Sequence, residues 1–159
     1  MKKAVFFIAL AVLSTQALAD KKHQSPEKMH QCKKSDLNGN YVMFQAAVNK
    51  PEMNHNGRCE VNISNGVLSG VCNFGRNAAG NPGFNGAIYG DATINKNCSA
   101  EVNISFDPVP NVVHIDSVFE LQFSPDKQSF VGRFSNNFGV EGISNGTRYS
   151  ASLPSTVAE

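Results

Sequence analysis

The residues able to do chemistry here are four cysteines, four histidines and a few carboxylates, and their spacing decides what they can do. Cys32, Cys59, Cys72 and Cys98 lie 27, 13 and 26 residues apart. Zinc sites usually draw ligands from close pairs such as C-x2-C, so this spacing argues against a metal and, in an oxidising compartment, for two disulfides. His23, His30, His55 and His114 are scattered, with none two or four residues from another. Neither a metal site nor a His-activated nucleophile follows from that pattern. The carboxylates Glu101, Asp116 and Glu120 fall at polar positions of alternating runs, where paired acids for glycoside hydrolysis do not converge. No G-x-S-x-G elbow, P-loop or dinucleotide fingerprint occurs. The expectation is therefore no catalytic residues, no metal and no cofactor, with a hydrolase assembled from distant strands as the outlying alternative.

The stretch Asn73 to Tyr89 is rich in Gly and Asn and carries Phe74, Arg76, Phe84 and Tyr89. A loop of that length inside a small domain is often functional, and aromatics with an Arg on a loop at a barrel mouth suit contact with a ligand or partner. The plainer reading is that Phe84 plugs the end of the fold.

What must position these residues is legible from period and turn chemistry. From Leu37 onward, apolar and polar residues alternate in short runs broken by Asn, Gly, Pro and Asp, as in half-buried antiparallel strands. Asn65-Gly66 is the strongest short hairpin signal, because both residues accept the positive φ of a type I′ turn. A two-residue loop there pairs Ser64 with Val67, Ile63 with Leu68, Val61 with Gly70 and Cys59 with Cys72. Val61, Ile63, Leu68 and both cysteines then share one face. Counting outward makes Cys59 and Cys72 a non-hydrogen-bonded pair, close enough for a disulfide. Cys32 is left to Cys98.

A second hairpin is expected around a three-residue loop, Asn95-Lys96-Asn97, with Asn97 in the left-handed position and Ile94 opposite Cys98. Gly86, Ile88, Gly90, Ala92 and Ile94 would face inward beside Cys98, Ala100, Val102, Ile104 and Phe106. A third turns at Ser124-Pro125-Asp126-Lys127, where Pro presets a type I turn. It sends Val113, Ile115, Phe119, Leu121 and Phe123 inward against Phe130, Gly132 and Phe134, and leaves His114, Asp116, Glu120 and Gln122 in water. Further reversals are expected at Asn136-Asn137 and Asn145-Gly146.

With a first strand at about Gly39 to Val48, the fold class is all-β: an antiparallel up-and-down barrel of about eight strands, since closure removes the exposed edges that invite aggregation. A two-sheet β-sandwich is the alternative. Several inward aromatics in so small a barrel favour a filled interior. A short helix is expected at the N-terminal side, with Ser25 as N-cap and Pro26 at the first helical position, running to about Lys33 and delivering Cys32 to the barrel. Leu37-x-Gly39-x-Tyr41 resembles the G-x-W opening of lipocalin-like barrels, with Tyr in place of Trp. The resemblance concerns architecture alone, and the absence of Trp removes the biotin-box tryptophans of an avidin-like barrel.

Lys2 and Lys3, the apolar run Ala4 to Leu13 and the Ala17-Leu18-Ala19 triplet before Asp20 form the pattern of a cleavable secretory signal. The apolar run is too short to span a bilayer, and Asp20 stands where a lipid anchor would need Cys. The domains expected are a signal peptide over 1–19, an N-terminal segment over 20–36 and the β-barrel over 37–155. A periplasmic or secreted location follows.

Removing 19 of the 159 residues leaves 140, enough for one self-sufficient core, so a monomer is expected. Loss of Lys2 and Lys3 takes the formal charge from +1 to −1. No basic stripe remains for nucleic acid or an anionic membrane surface. Four triplets fit the N-glycosylation pattern, at Asn62, Asn97, Asn103 and Asn145, but the signal is of bacterial type, which leaves them unused. The function expected is a non-catalytic binding module for a small apolar ligand or a macromolecular partner. The alternative is a secreted inhibitor or adhesin-like protein acting through 73–89.

Overall fold

The computed structural model describes residues 31–76, 80 and 83–149. Eight antiparallel strands follow one another around a closed barrel: β1 (Gly39–Ala47), β2 (Asn56–Ser64), β3 (Val67–Phe74), β4 (Phe84–Ile94), β5 (Ser99–Val109), β6 (Val113–Phe123), β7 (Ser129–Asn136) and β8 (Glu141–Tyr149). Pairing of β1 with β8, from Asn40 opposite Tyr149 to Ala47 opposite Gly142, completes the circle. The barrel, not the sandwich, is the architecture.

The hairpin of β2 and β3 has the expected register. Ser64 pairs with Val67 across Asn65 (φ 54°) and Gly66 (φ 85°), and Cys59 stands opposite Cys72. Their Cα atoms are 4.0 Å apart and their sulfurs are joined. Cys32 is joined to Cys98.

Elsewhere the structure corrects the reading. In the hairpin of β4 and β5, Ile94 pairs with Ala100, two residues from the expected Cys98. The left-handed residue is Cys98 (φ 67°), not Asn97. Asn97 instead ties the turn with its side chain, its Oδ1 accepting from the backbone N and Oγ of Ser99 at 3.1 and 2.8 Å. Cys98 is pinned by its disulfide and by the neighbouring bond from Cys32 N to Lys96 O. A slip of two residues keeps every side chain on its expected face, so alternation could not register it.

Asn145-Gly146 is not a reversal, because β8 runs straight through it. Gly146 is inward-facing, and a Cβ there would stand 2.3 Å from Phe130 Cζ and 2.6 Å from the Val42 carbonyl. This glycine makes room for a ring and does not turn the chain. The reversal expected at Asn136-Asn137 does lead into β8: the chain turns over Asn136 to Val140, where Asn136 Oδ1 accepts from the backbone of Phe138 and Val140 and Gly139 has φ 68°. The third hairpin turns as expected, with Lys127 (φ 62°) closing the turn and Asp126 Oδ1 accepting from Ser124 Oγ and Gln128 N.

The expected helix from Ser25 falls mostly outside the described residues. Gln31 to Lys33 are not helical, and a 3₁₀ turn follows at Lys34–Leu37. None of the described helices is long and apolar enough to cross a membrane.

Candidate functional site

The two ends of the barrel are built differently, and the difference is set by the connections. At one end lie the tight turns at 65–66, 95–98 and 124–128, the start of β1 and the 3₁₀ turn. Leu37, fully buried, caps the interior there. Tyr41 donates its hydroxyl proton to the Leu37 carbonyl at 2.7 Å and accepts from Arg148 Nη2 at 2.7 Å. That guanidinium lies 5.2 Å from the centre of the Tyr41 ring and also donates to the Asp36 carbonyl. A cation over an aromatic face and two shared hydrogen bonds make one locked unit. Burial is the main reason the Tyr41 hydroxyl titrates above its ordinary range. Lys127 reaches Asp36 at 2.8 Å, and that bond is the main reason the Asp36 carboxyl is held below its usual range. The Gly39-x-Tyr41 motif thus belongs to the seal.

Above the seal the core is solid. Tyr41, Met43, Val61, Ile63, Leu68, Leu121, Phe123 and Phe130 surround a residual void of about 20 Å³, room for little more than a water. So far the interior is filled, as its aromatics suggest.

At the other end the connections are longer: 48–55, 75–83, the bulged stretch between Phe106 and Val113, and 137–140. Here the interior opens into a half-open chamber of about 150 Å³. Five phenylalanines line it: Phe74, Phe84, Phe106, Phe119 and Phe134. Phe74, Phe84 and Phe106 form one cluster, with ring centres 4.7 to 5.7 Å apart, and His55 packs on Phe74 at 5.5 Å. Phe119 and Phe134 stack at 5.2 Å from neighbouring strands. The Cys59–Cys72 disulfide forms part of the wall. The filled interior that the inward aromatics favour holds for one half of the barrel, and packing stops at the level of Phe119.

Four residues were singled out by sequence as a loop constellation, and the structure separates them. The loop is shorter than expected, because Phe74 pairs with Phe84 at the ends of β3 and β4. Phe74 is buried and Phe84 partly buried, and both point into the chamber mouth. Tyr89 sits on the outer face of β4, half exposed, away from the chamber. Arg76 is exposed just beyond the end of β3. Two of the four therefore share a site.

Two polar residues escaped the sequence reading. Gln45 is inward-facing on β1 and only 7% exposed, and Ser117 is likewise 7% exposed on β6. Both line the chamber. Gln45 Oε1 is shielded from solvent and has no hydrogen-bond partner among the described residues. A signal for each existed, since each occupies the apolar phase of its strand, Gln45 after Tyr41 and Met43 and Ser117 between Ile115 and Phe119.

On the outer surface His114 is held between two carboxylates, Nδ1 at 2.8 Å from Asp107 and Nε2 at 3.0 Å from Asp116. The bond to Asp107 is the main reason its imidazole titrates above the ordinary value, with the Asp116 charge helping. Asp116 in turn accepts from Ser105 Oγ at 2.6 Å. Both ring nitrogens are engaged, so His114 has no free nitrogen with which to act as a base. Glu101, Asp116 and Glu120 all lie outward and exposed, and no group of His, Cys, Asp or Glu among the described residues is placed to hold a metal.

No protein-family model matches the chain, and no curated protein matches it in sequence. Among solved structures it is similar to a redesigned beta barrel, mFAP1, bound to DFHBI, with a TM-score of 0.50 and 15% identity over 73% of this chain and 97% of that one. It is similar also to the redesigned beta barrel mFAP0 bound to DFHBI, with a TM-score of 0.50 and 16% identity over 71% of this chain and 99% of the other. At such identities the likeness is one of fold.

Proposed function

We propose that the protein is a non-catalytic binding module that holds a small apolar molecule in the open half of its barrel. One observation carries this reading: a phenylalanine-lined chamber of about 150 Å³ stands at one end of a barrel whose other end is packed and sealed. Binding pockets are concave and mostly apolar, with a few placed polar groups, and this chamber has that composition. Two barrels of similar fold hold DFHBI in their structures, which supports a binding role for the architecture. The volume sets the scale, because an apolar cavity of about this size accommodates a benzene-sized molecule. The ligand is therefore small, of one ring or a short branched chain, rather than a long lipid.

We further propose that the chain is exported. The two disulfides suggest an oxidising environment, and the secretory pattern of residues 1–19 supports a periplasmic or secreted location.

Titration with toluene tests the binding role. Shifts confined to the methyl groups of Ile104, Ile115, Val140 and Met53, together with a midpoint of unfolding that rises with toluene concentration, are expected. An unchanged spectrum in toluene-saturated buffer contradicts it.

A second reading rests on the outer surface of β3 and β4, where Val71 (42% exposed) stands opposite Ala87 and beside Tyr89 (50% exposed). Such a patch suits a protein partner, to be tested by whether Val71→Ser with Tyr89→Ser abolishes co-purification of that partner from the native host.

A further inference from the structure

The chamber wall carries one group that an apolar ligand alone leaves unanswered. Gln45 points inward from β1 among Met43, Ala47 and the chamber phenylalanines, 93% removed from solvent on its 7% exposure, and its Oε1 lacks a partner among the described residues. A buried amide oxygen with no donor is costly, and buried polar groups are normally satisfied. Gln45 lines the chamber, from which a donor can approach its amide, and that amide turns about its last torsion to present either Oε1 or Nε2. Water is one candidate, and a guest that brings a ring as well as a donor displaces it with the added contact of five phenylalanines. Ser117, equally buried, and the less buried His55 and Asn136 are the other polar residues of the lining.

We propose, resting on the binding role above, that the ligand is a planar aromatic molecule of phenol size whose single hydroxyl or N–H donates to Gln45 Oε1. Volume sets the size, the ring cluster sets the planar shape, and the unpartnered oxygen sets the polarity. Phe74, Phe84 and Phe106 offer faces and edges at mutual distances of 4.7 to 5.7 Å, the range in which a further ring makes edge-to-face or offset contacts. A planar guest enters such a cluster with its hydroxyl leading toward β1. The donor discriminates among guests of equal size, since an isostere that lacks it leaves the amide oxygen unpaired.

Phenol and toluene form the matched test pair, alike in size and differing in hydroxyl against methyl. Affinities of both are measured by calorimetry for the native protein, Gln45→Leu and Gln45→Met. Phenol is expected to bind the native protein at least as tightly as toluene, although toluene is the more readily expelled from water. Either substitution is expected to weaken phenol about tenfold and leave toluene equal or stronger. The Met variant nearly preserves the shape of Gln and guards against a folding failure of the Leu variant. If toluene binds the native protein tenfold more tightly than phenol, or the ratio is unchanged in both variants, the polar selection is wrong and the apolar chamber stands. If neither molecule binds the native protein, the binding role itself fails, and the proposal with it.

Discussion

A chamber kept open at one end of a barrel leaves unpacked apolar surface, so filling it should stabilise the fold and abolish binding together. Ser117 is the place to do this. It faces inward between Ile115 and Phe119, is 7% exposed, and has Ile104 across the β5 pairing and Asn136 across the β7 pairing. Ser117→Leu exchanges a hydroxyl for an isopropyl group, a gain of about three buried carbons, which contributes roughly 2 kcal/mol at ~0.8 kcal/mol each. The chamber of about 150 Å³ has room for that addition, whereas the void of about 20 Å³ deeper in the barrel does not. For a domain of this size a gain of roughly 2 kcal/mol raises Tm by about 6 to 10 °C. Urea and thermal unfolding monitored by near-UV circular dichroism, each with and without toluene, read both halves of the expectation. Higher Tm with no toluene-dependent increment is the predicted result, the usual opposition of stability and function at a cavity. A destabilised variant would show that the chamber is already filled by its own side chains. A stabilised variant that still responds to toluene would place the ligand elsewhere.

The sealed end gives a contrasting expectation. Tyr41→Phe removes the donor to the Leu37 carbonyl and one acceptor of Arg148, costing about 1 to 3 kcal/mol in urea unfolding, while toluene affinity at the far end stays unchanged. The disulfides should separate in the same way. Cys59→Ala with Cys72→Ala opens a loop of sequence separation 13 and alters the chamber wall, costing about 3 kcal/mol and changing toluene affinity. Cys32→Ala with Cys98→Ala opens one of separation 66, costing about 4 kcal/mol with toluene affinity preserved. On the surface, NMR titration of His114 should give a midpoint above 6.5, falling more with Asp107→Asn than with Asp116→Asn. Because its folded pKa is raised, the stability from these ion pairs is fully present below about pH 6.5 and is lost as pH rises through the folded value. His114→Gln should remove that decline.

The sequence was most informative where local chemistry and long-range pairing agree. Asn65-Gly66 admits one turn, one register follows, and that register puts Cys59 opposite Cys72. Alternation assigned Phe119, Leu121, Phe123, Phe130 and Phe134 to the interior, where they lie. It was blind to a slip of two residues, and so Ile94 was matched to Cys98 instead of Ala100. Asn145-Gly146 misled because the glycine answers to the Phe130 ring, a contact between strands that no local window contains. The chamber was hidden for a related reason. Phe106, Phe119 and Phe134 read as ordinary core residues and Phe74 as a loop residue, and only their positions around the barrel show that their rings stop short of filling it. Phe74 and Phe84 were legible as candidates from their aromatic character in the 73–89 stretch, and Gln45 and Ser117 carried a second signal, polar residues in an apolar phase.

The central claim is that the barrel is solid at one end and hollow at the other, with the hollow fitted to a small guest. A crystal structure of the protein under xenon pressure tests it most directly, since xenon enters preformed apolar cavities without specific contacts. Xenon density among Phe74, Phe106, Phe119 and Phe134, with none among Val61, Leu68 and Leu121, is the predicted result. Density in the lower barrel, or an upper chamber that takes up no xenon because its phenylalanines have closed over it, would contradict the claim.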